Sequence, residues 1–182
     1  MLERLLKGAF SYLATFAAAL VLAGICRHFL FSPVTVYGES MSPTLANHEK
    51  VIVSKVGEIH RFDIIVFHAP DEDAYYVKRV IGLPGDSLEI KNDTLYINGN
   101  PYAEPYLKQN KANIEEGSKL TGDFTLKEIT GKSTVPKDSF FVMGDNRRIS
   151  KDSRMFKFIS AKSVVGKVEL SYYPLKDLGM PK

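Results

Sequence analysis

Tyr75-Tyr76-Val77-Lys78-Arg79-Val80-Ile81-Gly82-Leu83-Pro84-Gly85-Asp86 reads as one extended run closed by a turn. Its first nine residues are rich in β-branched and aromatic side chains, and Pro84-Gly85-Asp86 is the punctuation that ends a strand. The same character recurs on both sides. Before it come Val34-Thr35-Val36-Tyr37, Val51-Ile52-Val53 and Ile64-Ile65-Val66-Phe67. After it come Leu88-Glu89-Ile90, Thr94-Leu95-Tyr96-Ile97, Phe140-Phe141-Val142-Met143 and residues 164–170, with Asn98-Gly99-Asn100 as a further turn signal. Short extended runs between turns predict a mainly β domain. No repeat period is evident. Residues 102–138 are polar and charged, with Gly117, Gly122, Gly131 and one short apolar patch at Phe124-Thr125-Leu126. They read as an elaborated surface insert to which no chemistry is assigned.

The N-terminus has a different period. Residues 8–26, GAFSYLATFAAALVLAGIC, carry no charge and are bounded by Lys7 and Arg27. At about 1.5 Å rise per residue such a helix matches the roughly 30 Å hydrocarbon core of a bilayer, so a single transmembrane anchor is expected over residues 8–31. Two readings compete with it. A cleaved secretory signal has an apolar region of only about 7–15 residues followed by a small-x-small site, and a buried core helix is the other. Arg4 and Lys7 lie before the run, so the positive-inside bias puts residues 1–7 in the cytoplasm as a short stub and residues 32–182 outside as an extracytoplasmic β-rich domain.

The chain of 182 residues carries 24 basic and 21 acidic side chains, a balance too mild for a nucleic-acid footprint, and none is expected as a partner. Its single cysteine, Cys26, has no partner for an internal disulfide. His28, His48, His60 and His68 show no metal-site spacing, so neither a metal nor a cofactor is expected.

Three segments carry potential chemistry. In Gly38-Glu39-Ser40-Met41-Ser42-Pro43-Thr44-Leu45, directly after a strand, Ser40 is a candidate nucleophile, although alone a serine after a glycine turn is more often a cap. The second glycine of a G-x-S-x-G elbow is absent, so that fold is not implied. In the second segment strand alternation puts Lys78 on one face with Tyr76 and Val80. A lysine amine titrates near 10.4 in water. Burial lowers that value, as a neighbouring cation such as Arg79 would, and a neutral amine can act as a general base. The competing reading is a lysine snorkelling from a half-buried strand. The third segment, Gly144-Asp145-Asn146-Arg147-Arg148-Ile149-Ser150-Lys151-Asp152-Ser153-Arg154, follows an apolar strand, and Asp152 and Arg154 are spaced to brace it through a charge-assisted pair.

Together these three segments behind an anchor resemble type I signal peptidases of the compact, single-anchor bacterial kind, with Val165-Gly166-Lys167-Val168 similar to a common closing strand. The resemblance spans nearly the whole chain except residues 102–138. It implies a signal-peptidase-like β domain behind one N-terminal transmembrane helix, and a serine endopeptidase that removes signal peptides from exported preproteins after small residues, in the Ala-x-Ala pattern. It further implies Ser40 as nucleophile, Lys78 as general base, Ser150 as a hydroxyl orienting the amine, and Asp145, Asp152, Arg79 and Arg154 as braces. Gly38 stands where some relatives have an oxyanion-stabilising serine. One donor is then the Ser40 N–H, and the second is open. Expected partners are preproteins and membrane lipid, the latter touched by the apolar side chains of Phe31, Pro33 and Met41, and the expected state is a monomer. Two other readings stand beside this one: a self-cleaving Ser/Lys repressor-type peptidase, which should carry a DNA-binding helical domain instead of an anchor, and a tethered, non-catalytic β module.

Overall fold

The computed structural model describes residues 2–181, with side chains described over 12–24 and 29–181. One long helix, α1 (Leu2–Phe29), precedes the strands β1 (Phe31–Thr35), β2 (Lys50–Ser54), β3 (Ile64–His68), β4 (Tyr75–Gly82), β5 (Leu88–Lys91), β6 (Thr94–Ile97), β7 (Asn100–Tyr102), β8 (Phe124–Thr125), β9 (Ser139–Met143), β10 (Ile159–Ser160) and β11 (Val164–Tyr173). Short helices α2 (Lys108–Ala112), α3 (Leu126–Thr130) and α4 (Ser153–Phe156) lie between them. The strands form a seven-stranded sheet in the order β1-β2-β11-β3-β4-β9-β10 and a four-stranded sheet in the order β7-β6-β5-β8. The fold is mainly β.

The expected transmembrane anchor is not carried by the structure. Among the described residues no helix is long and apolar enough to cross a membrane. Residues 8–11 and 25–28 of the expected span lie outside the described side chains, and Phe31 at its end is already in β1. The single-pass topology, with a cytoplasmic stub and an extracytoplasmic domain, rested on that span and falls with it.

Strand alternation builds the core. β3 is buried on both faces, and its Ile64 and Val66 join Met41, Leu45, Val51 and Val53, while Ile65 and Phe67 join Val80, Val142 and Ile159. β9 divides its residues the same way. Phe140 and Val142 enter the cluster with Phe67, whereas Phe141 and Met143 enter that of the smaller sheet with Leu88, Ile90, Leu95 and Ile97. A period of two that alternates between two cores fixes register, because a slip of one residue would exchange every contact. The hairpin joining β6 to β7 turns through Asn98 and Gly99, both at positive φ, as a two-residue loop between right-twisted strands requires.

Residues 102–138 are less of a loop than the sequence suggests. Thr125 caps α3 in a reciprocal capping box with Glu128, and Leu107, Leu120, Leu126 and Val135 are buried. This segment closes over the third sequence box, as its polar contacts below make plain.

Candidate active site

Ser40 lies on a loop, not in a strand ladder. After β1, Val36 N–H donates to Glu49 O at 2.8 Å, and Gly38 turns the chain at φ +85°, a left-handed conformation suited to glycine. Gly38 N–H donates to Asn47 Oδ1 at 3.0 Å, so it is committed and not aimed at an oxyanion. Met41 and Leu45, both almost fully buried, then plug the loop into the core. Met41 is therefore unavailable to lipid, unlike the exposed Phe31 and Pro33.

Lys78 comes from β4, paired with Ile65 of β3. Its side chain is on the face shared with Tyr76 and Val80, with Nζ 5.1 Å from the Tyr76 ring centroid. The amine lies 2.8 Å from Ser40 Oγ and 3.0 Å from Val77 O. Burial pulls the Lys78 pKa down from 10.5 to about 8, against the opposing pull of Asp152 and Asp145. That leaves about a tenth of the amine neutral at pH 7. Arg79 does not supply the expected push, because its charge is matched elsewhere.

Asp145 accepts from Arg79 Nε at 2.9 Å and Nη2 at 2.7 Å, a planar fork, and from Thr44 Oγ1 at 2.5 Å. Arg79 also donates to Phe62 O at 2.9 Å and stacks 4.0 Å from the Tyr106 ring centroid. Asp152 accepts from Gly144 N–H at 3.1 Å and from Arg154 Nε and Nη2, both at 2.8 Å, while capping α4. The nucleophile loop and the third box meet directly, since Asn146 N–H donates to Ser40 O at 3.0 Å. Gly144 permits this approach: a Cβ there would stand 2.4 Å from Ser40 O and 2.2 Å from Ser150 Oγ. Ser150 is buried against that glycine. Its Oγ has no hydrogen-bond partner among the described residues, so the orienting bond to the lysine amine is not formed here.

The structure brings in residues that sequence reasoning passed over. Thr44 and Arg147 lie inside the quoted boxes, but their roles depend on distant partners. Arg147, fully buried, donates to Gly144 O at 3.0 Å, Thr121 Oγ1 at 3.3 Å and Glu104 Oε1 at 2.5 Å. Glu104 also accepts from Tyr106 O–H at 2.6 Å, and burial with this neighbour pushes the phenol pKa up. Asn110 Nδ2 donates to Ser42 O at 3.1 Å and Asp145 O at 2.8 Å. Glu104, Tyr106, Asn110 and Thr121 all belong to the insert, where no local pattern marks them.

A cleft of about 860 Å³ opens beside the pair, walled by Val34, Val36, Val66, Val77 and Val165, with Ser40 and Lys78 in its lining. Two backbone edges flank it. β1 is the terminal strand of its sheet, and β4 is paired with β9 only from Arg79 onward, which leaves Tyr75 to Lys78 unpaired on that side.

A family model described as signal peptidase, peptidase S26, matches residues 9–173. The signal peptidase I of Bacillus caldolyticus is 52% identical over 166 residues, covering 89% of this chain and 90% of that protein. The signal peptidase IB of Staphylococcus aureus is 41% identical over 179 residues, covering 94% and 93%. A crystal structure of a signal peptidase I from Enterococcus faecalis V583 superposes with a TM-score of 0.60 at 46% identity, over 62% of this chain and 97% of that one.

Proposed function

Because the chain belongs to the signal peptidase family, peptidase S26, and is a serine endopeptidase that cleaves signal peptides with a serine–lysine dyad, we propose that Ser40 is the nucleophile and Lys78 the general base. Its substrates are preproteins and its context is a membrane. The observation that carries the assignment is the 2.8 Å contact between Ser40 Oγ and a lysine amine that burial draws toward neutrality.

In the reactive form Lys78 Nζ is neutral and accepts the Ser40 proton while Oγ attacks the scissile carbonyl carbon. The resulting oxyanion takes a hydrogen bond from the Ser40 N–H. The ammonium then returns its proton to the departing amine nitrogen, the C–N bond breaks, and an acyl-enzyme remains on Oγ. Lys78 next takes a proton from a water that attacks the acyl carbon, and as the C–Oγ bond breaks the ammonium returns that proton to Oγ, which frees the cleaved signal peptide and restores the dyad. Ser150, buried behind Gly144, is the second hydroxyl available to hold the amine once Oγ is acylated. Asp145, Arg79, Asp152 and Arg154 hold the two loops in register.

An extended preprotein segment adds to the backbone edges of the cleft, where strand-like hydrogen bonds give affinity and alternate side chains meet apolar walls. Valines at close quarters favour small side chains at the first and third positions before the cut, the Ala-x-Ala pattern. Residues 32–182 are the catalytic unit, acting as a monomer, with Phe31 and Pro33 available to lipid. The decisive experiment is cleavage of an Ala-x-Ala preprotein by the detergent-solubilised chain beside Ser40→Ala and Lys78→Met. Only the intact chain should cut. Equal cutting by all three would remove both residues from the mechanism.

A further inference from the structure

We infer that Asn110, in the insert, is a positioning residue for the nucleophile. It acts through the backbone on either side of the Ser40 contact with the third box. Lys78 is fixed by the β3–β4 ladder, whereas Ser40 rides on a loop whose only described tie at its own carbonyl is the Asn146 N–H. The distance between amine and hydroxyl therefore depends on how firmly that loop is clamped to residues 144–146. Besides the Asn146 N–H on Ser40 O and the Thr44 hydroxyl on Asp145, Asn110 supplies a clamp from outside both loops. Its one amide nitrogen spans the two loops, reaching Ser42 O, two residues past the nucleophile, and Asp145 O, one residue before Asn146.

Both acceptors are carbonyl oxygens, so the chemistry demands two N–H donors on one atom. A primary amide provides them, a hydroxyl provides one, and a carboxylate provides none. Proton transfer is sensitive to this placement, since a misplacement of about 1 Å can cost about 10²-fold in rate. The insert, which lies outside the motifs of the dyad, thereby sets the reach of the nucleophile. The inference rests on Ser40 and Lys78 acting as proposed above.

The test is steady-state cleavage of an Ala-x-Ala preprotein by the full chain, its Asn110→Asp and Asn110→Ala variants, and Thr125→Ala as a control in the same insert. Asn110→Asp keeps the shape but presents only acceptors to two carbonyls. Both Asn110 variants should lose about 10- to 100-fold in kcat with KM unchanged. Thr125→Ala removes the capping box of α3, at the edge of the four-stranded sheet and on neither loop of the dyad, and should lower Tm by about 2–4 °C while keeping kcat. Wild-type kcat in Asn110→Asp overturns the inference, as does an equal kcat loss in Thr125→Ala, which would mark a general effect of loosening the insert. Ser40→Ala run alongside separates the two levels: if it cuts like the intact chain, or if the intact chain does not cut, the dyad assignment itself fails and the inference with it.

Discussion

The two faces of β4 hold a buried cation each, one residue apart, and treat them in opposite ways. Lys78 and Arg79 are equally hidden, each 4% exposed. Arg79 meets Asp145 in a planar fork, so its charge is answered and retained. Lys78 meets a serine hydroxyl and a backbone carbonyl, neither of them charged, so burial drives it toward the neutral amine. A single strand thus holds an amine drawn toward neutrality, the proposed base, on one face and a paired guanidinium on the other. What differs is the partner, and the choice of side chain follows it: an amine can give up its proton, a guanidinium in practice cannot.

The comparison breaks most severely if the two faces are made alike. Lys78→Arg puts a permanent cation beside Ser40, and preprotein cleavage should fall by about 10⁴-fold or more, near the cost of losing an essential base. Measurable cleavage above a hundredth of wild type would show that proton abstraction does not run through this position. On the opposite face, Asp145→Asn leaves Arg79 buried without its counter-charge. Urea denaturation should show a loss of about 3–5 kcal/mol, and a loss below 1 kcal/mol would mean that the fork contributes little beyond its shape.

The pH dependence sharpens the contrast. Lys78 titrates near 8 in the folded chain and near 10.5 when unfolded, so between those values the unfolded state binds more protons and stability rises with pH. The full penalty applies below about 8 and amounts to roughly 3 kcal/mol for a shift of this size. The rate constant for cleavage should accordingly climb with pH and level off above about 8. Lys78→Met, though inactive, should be more stable than wild type at pH 7 and lose that advantage toward pH 10.5. A flat difference between the two proteins across this range would contradict the lysine's buried, shifted state.

Local chemistry made part of this legible in advance. Alternation along residues 75–83 assigns Lys78 and Tyr76 to one face, because period two is a property of the strand alone. The pair of Asp152 and Arg154 is two residues apart and within reach of a spacing rule, whereas Asp145 meets Arg79 across 66 residues and was indicated by the family resemblance alone. The insert was opaque for the opposite reason. Arg147 meets Glu104 across 43 residues and Asn110 meets Asp145 across 35, and no spacing rule reaches that far. The N-terminal anchor was expected over residues 8–31 on the strength of the uncharged stretch 8–26, but among the described residues no helix is long and apolar enough to cross a membrane, and residue 31 already belongs to β1.

Thr44 offers the finest probe of the brace face. Its hydroxyl donates to Asp145 Oδ2, the oxygen that also accepts from Arg79 Nη2. Thr44→Val keeps the shape and removes only the donor. Because the fork to Arg79 still satisfies the carboxylate, the loss should be about 1–2 kcal/mol, within the range for a hydrogen bond to a charged group and well short of breaking the ion pair. The pH–rate midpoint near 8 should stay in place, since burial and not this contact dominates the lysine shift. Movement of that midpoint by a full unit would mean that the pull of Asp145 on the lysine rivals burial, and that the brace also tunes the base.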